Sequence, residues 1–186
     1  MSALSRFIFT LTAIFLLALS HVVSGVEPEI VINIERNGDA FIVDTKFDLP
    51  VPLRTAWEVL TDFDNMTGIL SNLTSSKIVR RDGKILYVAQ EGLARFGILS
   101  YAFASEREIR LEPMKRILAR QITGNAERFE SELELTQSGS ATRVHYRAEV
   151  VPDSGLARTF GGRFIKHEVE EQFTAMAAEM MRRNAR

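Results

Sequence analysis

Residues 41–64 read FIVDTKFDLPVPLRTAWEVLTDFD, and the fold turns on how this stretch divides. Its first part alternates cleanly. Phe41, Val43, Thr45, Phe47 and Leu49 share one face, and Ile42, Asp44, Lys46 and Asp48 share the other. A period of two with one polar face predicts a half-buried antiparallel strand. Pro50 and Pro52 cannot donate to a ladder, so the strand ends there. From Arg54 to Thr61 the spacing becomes helical, with Ala56, Val59 and Leu60 on one side and Trp57 one turn after Leu53. Asp62 to Asn65 interrupts this helix, and residues 66–73 are expected to form a second short helical turn.

Upstream, residues 29–36 set Ile30, Val31, Ile32 and Ile34 among polar residues, and Asn37-Gly38 is a strong hairpin signal. Downstream, strand character recurs at residues 76–81, 84–92, 99–111, 116–124, 129–136 and 142–151. Turn chemistry separates these runs at Asp82-Gly83, near Gly97, at Glu112-Pro113, at Gly124-Asn125 and at Ser138-Gly139-Ser140. The final segment, residues 155–183, repeats Leu156, Phe160, Phe164, Val169, Phe173, Met176, Ala177 and Met180 at helical steps. Lys166, Glu170, Glu171 and Arg182 fall elsewhere on its circumference. It reads as one long amphipathic helix with a break near Gly161-Gly162. The order predicts an α+β fold: a curved antiparallel sheet of about seven strands, two short helices after the first long strand, and a C-terminal helix covering the concave face.

Several motifs in this order resemble the START-like, polyketide cyclase/coenzyme Q-binding superfamily (SRPBCC). One is the strand, Pro-rich corner and Trp57-Glu-Val-Leu-Thr-Asp-Phe-Asp64 helix end. Others are Val88-Ala-Gln90-Glu-Gly92, Ile109-x-Leu111-x-Pro113 and Ala141-Thr142-Arg143-Val144-x-Tyr146. The closing Phe173-x-x-Met176 with Glu179-Met-Met-Arg182-Arg183 completes the set. The resemblance spans about residues 40–184. It implies a helix-grip fold, with a cavity between sheet and helix that takes a lipid, quinone, sterol or polyketide.

The N-terminus has its own character. Arg6 is the one charged residue among the first 25, and residues 7–19 (FIFTLTAIFLLAL) are uncharged. A basic start, an apolar run and small residues after it predict a signal peptide over residues 1–25, with the domain at 26–186. Cleavage after Ser20 and cleavage after Gly25 both satisfy the small-residue rule. The run is shorter than the roughly 20 residues that span a bilayer, so export, in a bacterium to the periplasm, is expected; the alternative is an uncleaved N-terminal anchor. This departs from cytosolic and mitochondrial members of the superfamily, so their particular ligands are not carried over.

Of 23 basic residues, setting aside Arg6 leaves 22 against 24 acidic ones. That balance gives no field to draw nucleic acid. There is no cysteine, so no disulfide and no thiolate chemistry. His21, His145 and His167 are scattered without metal-site spacing, and neither metal nor cofactor is expected. His145, between Val144 and Tyr146, should face solvent and be inert, and His167 should be solvated. Asp62 and Asp64 flank Phe63, but residues two apart need not converge, so no catalytic pair is expected.

The ligand-binding candidates follow from periodicity. Gln90 continues Leu86 and Val88, although Ile85, Tyr87 and Ala89 on the other face are as apolar and leave the parity open. Arg107 shares a face with Tyr101, Phe103, Ile109 and Leu111, where it needs an ion pair, or a ligand head group at the cavity mouth. Phe129, Tyr146, Phe164, Phe173, Met176 and Met180 complete the facing walls of sheet and helix. The expected function is non-catalytic binding or transport of a hydrophobic small molecule, with membrane contact for its exchange. The rivals are a polyketide cyclase or dehydratase, which would need a His or carboxylate in the cavity, and a protein-interaction module.

Overall fold

A computed structural model describes residues 28–97, 99–153 and 155–186; the expected signal peptide lies outside the described residues. The chain opens with a hairpin, β1 (Val31–Asn37) and β2 (Ala40–Leu49). Helix α1 (Leu53–Leu60) and a 3₁₀ helix (Phe63–Gly68) follow. Six strands then meander: β3 (Leu73–Asp82), β4 (Ile85–Phe96), β5 (Leu99–Glu112), β6 (Arg116–Gly124), β7 (Ala126–Ser138) and β8 (Ala141–Pro152). Helix α2 (Gly155–Asn184) closes the chain. The strands form one antiparallel sheet of eight in the order β1-β2-β8-β7-β6-β5-β4-β3.

The predicted parity of β2 holds. Phe41, Val43, Thr45, Phe47 and Leu49 are all buried on the inner face. The hairpin differs by one residue from its expected form. Asn37 pairs with Ala40, so the two-residue loop is Gly38-Asp39, with Gly38 at φ +60°. Glycine at the first loop position supplies the positive φ that a two-residue hairpin needs. The sheet has eight strands, one more than the about seven expected. The second helical turn comes earlier than expected, at Phe63–Gly68, because Phe63 and Met66 are the residues that bury.

The Pro-rich corner is pinned from β8: the Thr142 hydroxyl donates to the Val51 carbonyl at 2.8 Å. From that corner the chain carries α1 and the 3₁₀ helix to the far edge strand, β3. At the far end Arg183 of α2 meets Asp62 at 2.7 Å, and Glu179 binds both Arg182 and Arg183 at 2.6 Å. Those two guanidiniums hold the Glu179 carboxyl down to about 2.

Helix α2 runs unbroken through Gly161-Gly162, against expectation. Built outward, a Cβ on Gly161 would come within 3.1 Å of the Phe41 ring, and one on Gly162 within 3.3 Å. These glycines are a flat seat for Phe41 within a continuous helix, not a break. A sharper constraint falls at Gly92 of β4. A Cβ there would lie 2.2 Å from the Asn72 carbonyl oxygen and 2.5 Å from the Phe103 ring. Leu93 N–H donates to that same carbonyl at 2.8 Å. Gly92→Ala is therefore expected to destabilise the domain by about 1–3 kcal/mol or more, read as a lowered urea midpoint with an unchanged slope.

Candidate ligand cavity

The inner face of the sheet settles the parity left open for β4. Leu86, Val88 and Gln90 are buried. Tyr87 points outward, where the Arg80 guanidinium stacks 3.5 Å from its ring centre. Helix α2 crosses the concave face on Phe173, whose ring lies 5.3 Å from Phe47 and 5.1 Å from Tyr146, centre to centre. Beside this contact the sheet and helix do not meet fully, and a cavity of about 140 Å³ remains.

Three groups of residues wall it. Leu60, Phe63, Met66 and Leu70 come from the α1 and 3₁₀ segment, and Val169, Gln172, Phe173 and Met176 from α2. The sheet supplies Gln90, Arg107, Ile109, Ile117, Ala119, Ser131, Leu133 and Tyr146. Of the sequence candidates, the cavity thus brings together Gln90, Arg107, Tyr146, Phe173 and Met176. The rest lie outside its lining. Tyr101 is 43% exposed and packs edge-on against Phe164 at 6.3 Å. Phe103 packs on the core beside Gly92. Phe129 sits 5.8 Å from the Arg107 guanidinium, and Met180 is fully buried in the core. Sequence reading missed the helical lid and Ser131. The alternation of Phe129, Ser131 and Leu133 carried a signal for Ser131; only the chain's path across the sheet reveals the lid.

The polar groups are disposed unequally. Gln90 Nε2 donates to Ser76 Oγ at 2.9 Å, and Ser76 Oγ donates to the Phe63 carbonyl at 2.5 Å. This chain ties the lid to β3 and β4 and satisfies a buried amide from within the protein. Burial pushes the Tyr146 phenol above its ordinary value, so it stays protonated. Arg107 Nε is buried without a hydrogen-bond partner, and among the described residues no carboxylate pairs with it; the expected structural ion pair is not there.

Asp62 and Asp64 diverge, the first to Arg183 and the second accepting from Ile78 N–H at 2.7 Å. They form no catalytic pair. His145 lies on the outer face as expected, yet it is not idle: its Nε2 sits 2.8 Å from Asp44, because Asp44 projects beside it from the neighbouring strand. His167, Glu168 and Glu171 each bring one donor atom within 4.8 Å of the others, a grouping the sequence reading did not single out. His167 Nε2 lies 3.6 Å from Glu171, a spacing that a helix-surface ion pair explains. A larger open depression, about 550 Å³, lies on the rim near Asn37, Arg128 and Glu149; Arg128 and Glu149 pair across it.

Residues 49–177 match the family model described as polyketide cyclase / dehydrase and lipid transport. The chain belongs to that family. No curated protein matches it. Among solved structures, Zhui aromatase/cyclase from Streptomyces sp. R1128 is 16% identical, with a TM-score of 0.69 over 77% of this chain and 95% of that one. A STAR-related lipid transfer protein fragment from Xanthomonas axonopodis is 8% identical, with a TM-score of 0.67 over 82% and 93%. A START superfamily protein from Mycobacterium smegmatis is 10% identical, with a TM-score of 0.65 over 76% and 97%. At these identities the likeness is one of fold, and the fold is the helix grip.

Glu168 latches α2 to the loop before β3 through Asn72, which donates to its Oε2 at 2.9 Å. Its Oε1 is buried without a partner. Burial raises its pKa above the ordinary 4.5, partly offset by the Asn72 hydrogen bond. A carboxyl raised on folding contributes stability that is whole below the unfolded value and is lost as pH rises through the folded one. Glu168→Gln should therefore stabilise the domain at about pH 8 and have little effect at about pH 4, measured as paired denaturation curves.

Proposed function

We propose that this domain binds an apolar small molecule, a lipid, quinone or isoprenoid, between sheet and α2, and carries it without converting it. The observation that supports this is the composition of the cavity wall. Its surface is mostly Leu, Ile, Phe, Met, Val and Ala, and its polar members are Gln90, Arg107, Ser131, Tyr146 and Gln172. Cyclisation or dehydration of a polyketide needs a group that accepts a proton near neutral pH. None of those five side chains does so, and among the described residues neither histidine nor carboxylate lines the cavity.

A volume of about 140 Å³ is smaller than the roughly 300–1,000 Å³ of ordinary ligand pockets. In this reading the lid of residues 60–70 and the facing turns of α2 move apart on loading. The walls that part there include Met66 and Met176, unbranched side chains that repack at low cost. Burial of the ligand's apolar surface, about 25 cal/mol per Å² before ordering costs, drives the event. Export through residues 1–25 belongs to the same proposal, and it would place the carrier outside the cytoplasm.

Protein purified from its own host, extracted into organic solvent and analysed by mass spectrometry, should release an apolar compound. The same compound returned to the protein should be recovered unchanged; a new product would establish the cyclase reading instead. Phe173→Ala, which removes a ring packed on Phe47 and Tyr146, should cost about 3–5 kcal/mol. Met176→Ala should cost less than that range, since its side chain faces the cavity, and should alter the amount of bound compound. N-terminal sequencing of the exported protein should begin at His21 or Val26; an intact Met1 on soluble cytoplasmic protein would refute export.

A further inference from the structure

Arg107 enters the interior because β5 alternates. Ile109 is buried and Leu111 half-buried on the same face, and a register shift between Glu106 and Arg107 sets Arg107 opposite Gln121 of β6. Glu106 and Glu108, its carboxylate neighbours in sequence, fall on the other face, where Glu108 pairs with Arg120 at 2.8 Å. Among the described residues the guanidinium has no hydrogen bond and no ion pair. The Phe129 ring lies 5.8 Å from it, centre to guanidinium carbon. A guanidinium does not give up its proton in a protein. The residue as a whole is half-buried, but its Nε is sealed from solvent without a partner. A desolvated, unpaired cation is costly, and a ring at that distance offsets only a small part of the cost.

Beside it, also lining the cavity, is Tyr146, close enough to interact electrostatically with Arg107. Arg107 and Tyr146 thus present two adjacent hydrogen-bond donors to a largely apolar cavity whose lining, among the described residues, holds no carboxylate. One fixed positive charge and one neutral donor match the single charge of a carboxylate. A phosphate monoester dianion would leave a charge uncompensated. A guanidinium fork also meets the two oxygens of a carboxylate in one plane.

We infer that the ligand is an amphiphilic acid, its carboxylate against Arg107 and Tyr146 and its apolar body between the lid and Phe173. This deepens the binding function proposed above and rests on it.

The test uses dodecanoate and dodecan-1-ol, an acid and an alcohol with the same chain, titrated into the delipidated full chain by calorimetry. Wild type should bind the acid at least about tenfold more tightly, the scale of a hydrogen bond to a charged group. Arg107→Met should remove that preference while keeping its affinity for the alcohol. Its thermal midpoint should equal or exceed that of the wild type, because an unpaired cation leaves the interior; a structural role for Arg107 would lower the midpoint. Equal affinity of wild type for acid and alcohol overturns this inference and leaves apolar binding intact. Binding of neither probe overturns both. The acid–alcohol comparison on wild type needs no variant, so it decides the matter even if Arg107→Met does not fold.

Discussion

The contact of Phe173 with Phe47 and Tyr146 is the point on which the rest of the structure hangs. β2 and β8 lie side by side only because the chain's first hairpin returns to pair with its last meander strand. That long-range pairing places Phe47 and Tyr146 where one ring from α2 can pack on both. With the ring seated, α2 has a fixed height above the sheet. The seat of Phe41 on Gly161 and Gly162 fixes one end of the helix, and Arg183 on Asp62 the other. A curved sheet gripping a helix at three points cannot also touch it everywhere between them. The cavity is the remainder, and it lies beside the central anchor, under the segment that links β2 to β3.

That segment does two tasks at once. Its apolar residues, Leu60, Phe63, Met66 and Leu70, roof the cavity. Its polar groups hold it down through Gln90, Ser76 and the Phe63 carbonyl on one side, and through Asn72 and Glu168 on the other. The first latch is fully satisfied and buried. The second leaves a carboxylate oxygen unpaired in the interior, so it is the weaker of the two by the cost of burying an unmet polar group. The weaker latch lies on the side where α2 presents Val169 and Gln172 to the cavity.

Much of this was legible in the sequence, and the failures have physical causes. The parity of β2 was readable because one face is polar throughout. That of β4 was not, because Tyr87 is as apolar as Leu86 and only the stacked Arg80 marks it as outward. Gly161-Gly162 read as a break because helix propensity argues that way; the ring of Phe41, distant in sequence, overrides it. The hairpin loop slipped from Asn37-Gly38 to Gly38-Asp39 because both pairs are good turn residues and the register is decided across β1 and β2. For the site, periodicity placed Gln90, Arg107, Tyr146, Phe173 and Met176 on the correct walls. It could not separate them from Tyr101 or Met180, which share those faces but lie beyond the cavity's ends. The missing partner of Arg107 was beyond sequence altogether, since Glu106 and Glu108 flank it in the chain.

An open sheet also has to protect its two edges, and this chain has no disulfide to help. β1 and β3 are the exposed edges. Both carry charge: Glu35 and Arg36 on one, Lys77, Arg80 and Arg81 on the other. β3 is further disrupted by two register shifts against β4. Charge and irregularity on an edge discourage pairing with another chain. The outer face adds crossed ion pairs, Asp48 with Arg143, Arg116 with Glu112 and Glu132, and Asp44 with Lys46. Each exposed pair is worth at most about 1 kcal/mol, too little to hold the domain together. Their larger effect is to commit the outer face to water. A strand slipped by one residue would bury these charges and expose the inner apolar face, so the outer pairs help fix the register on which Arg107 and Tyr146 depend for their place in the cavity.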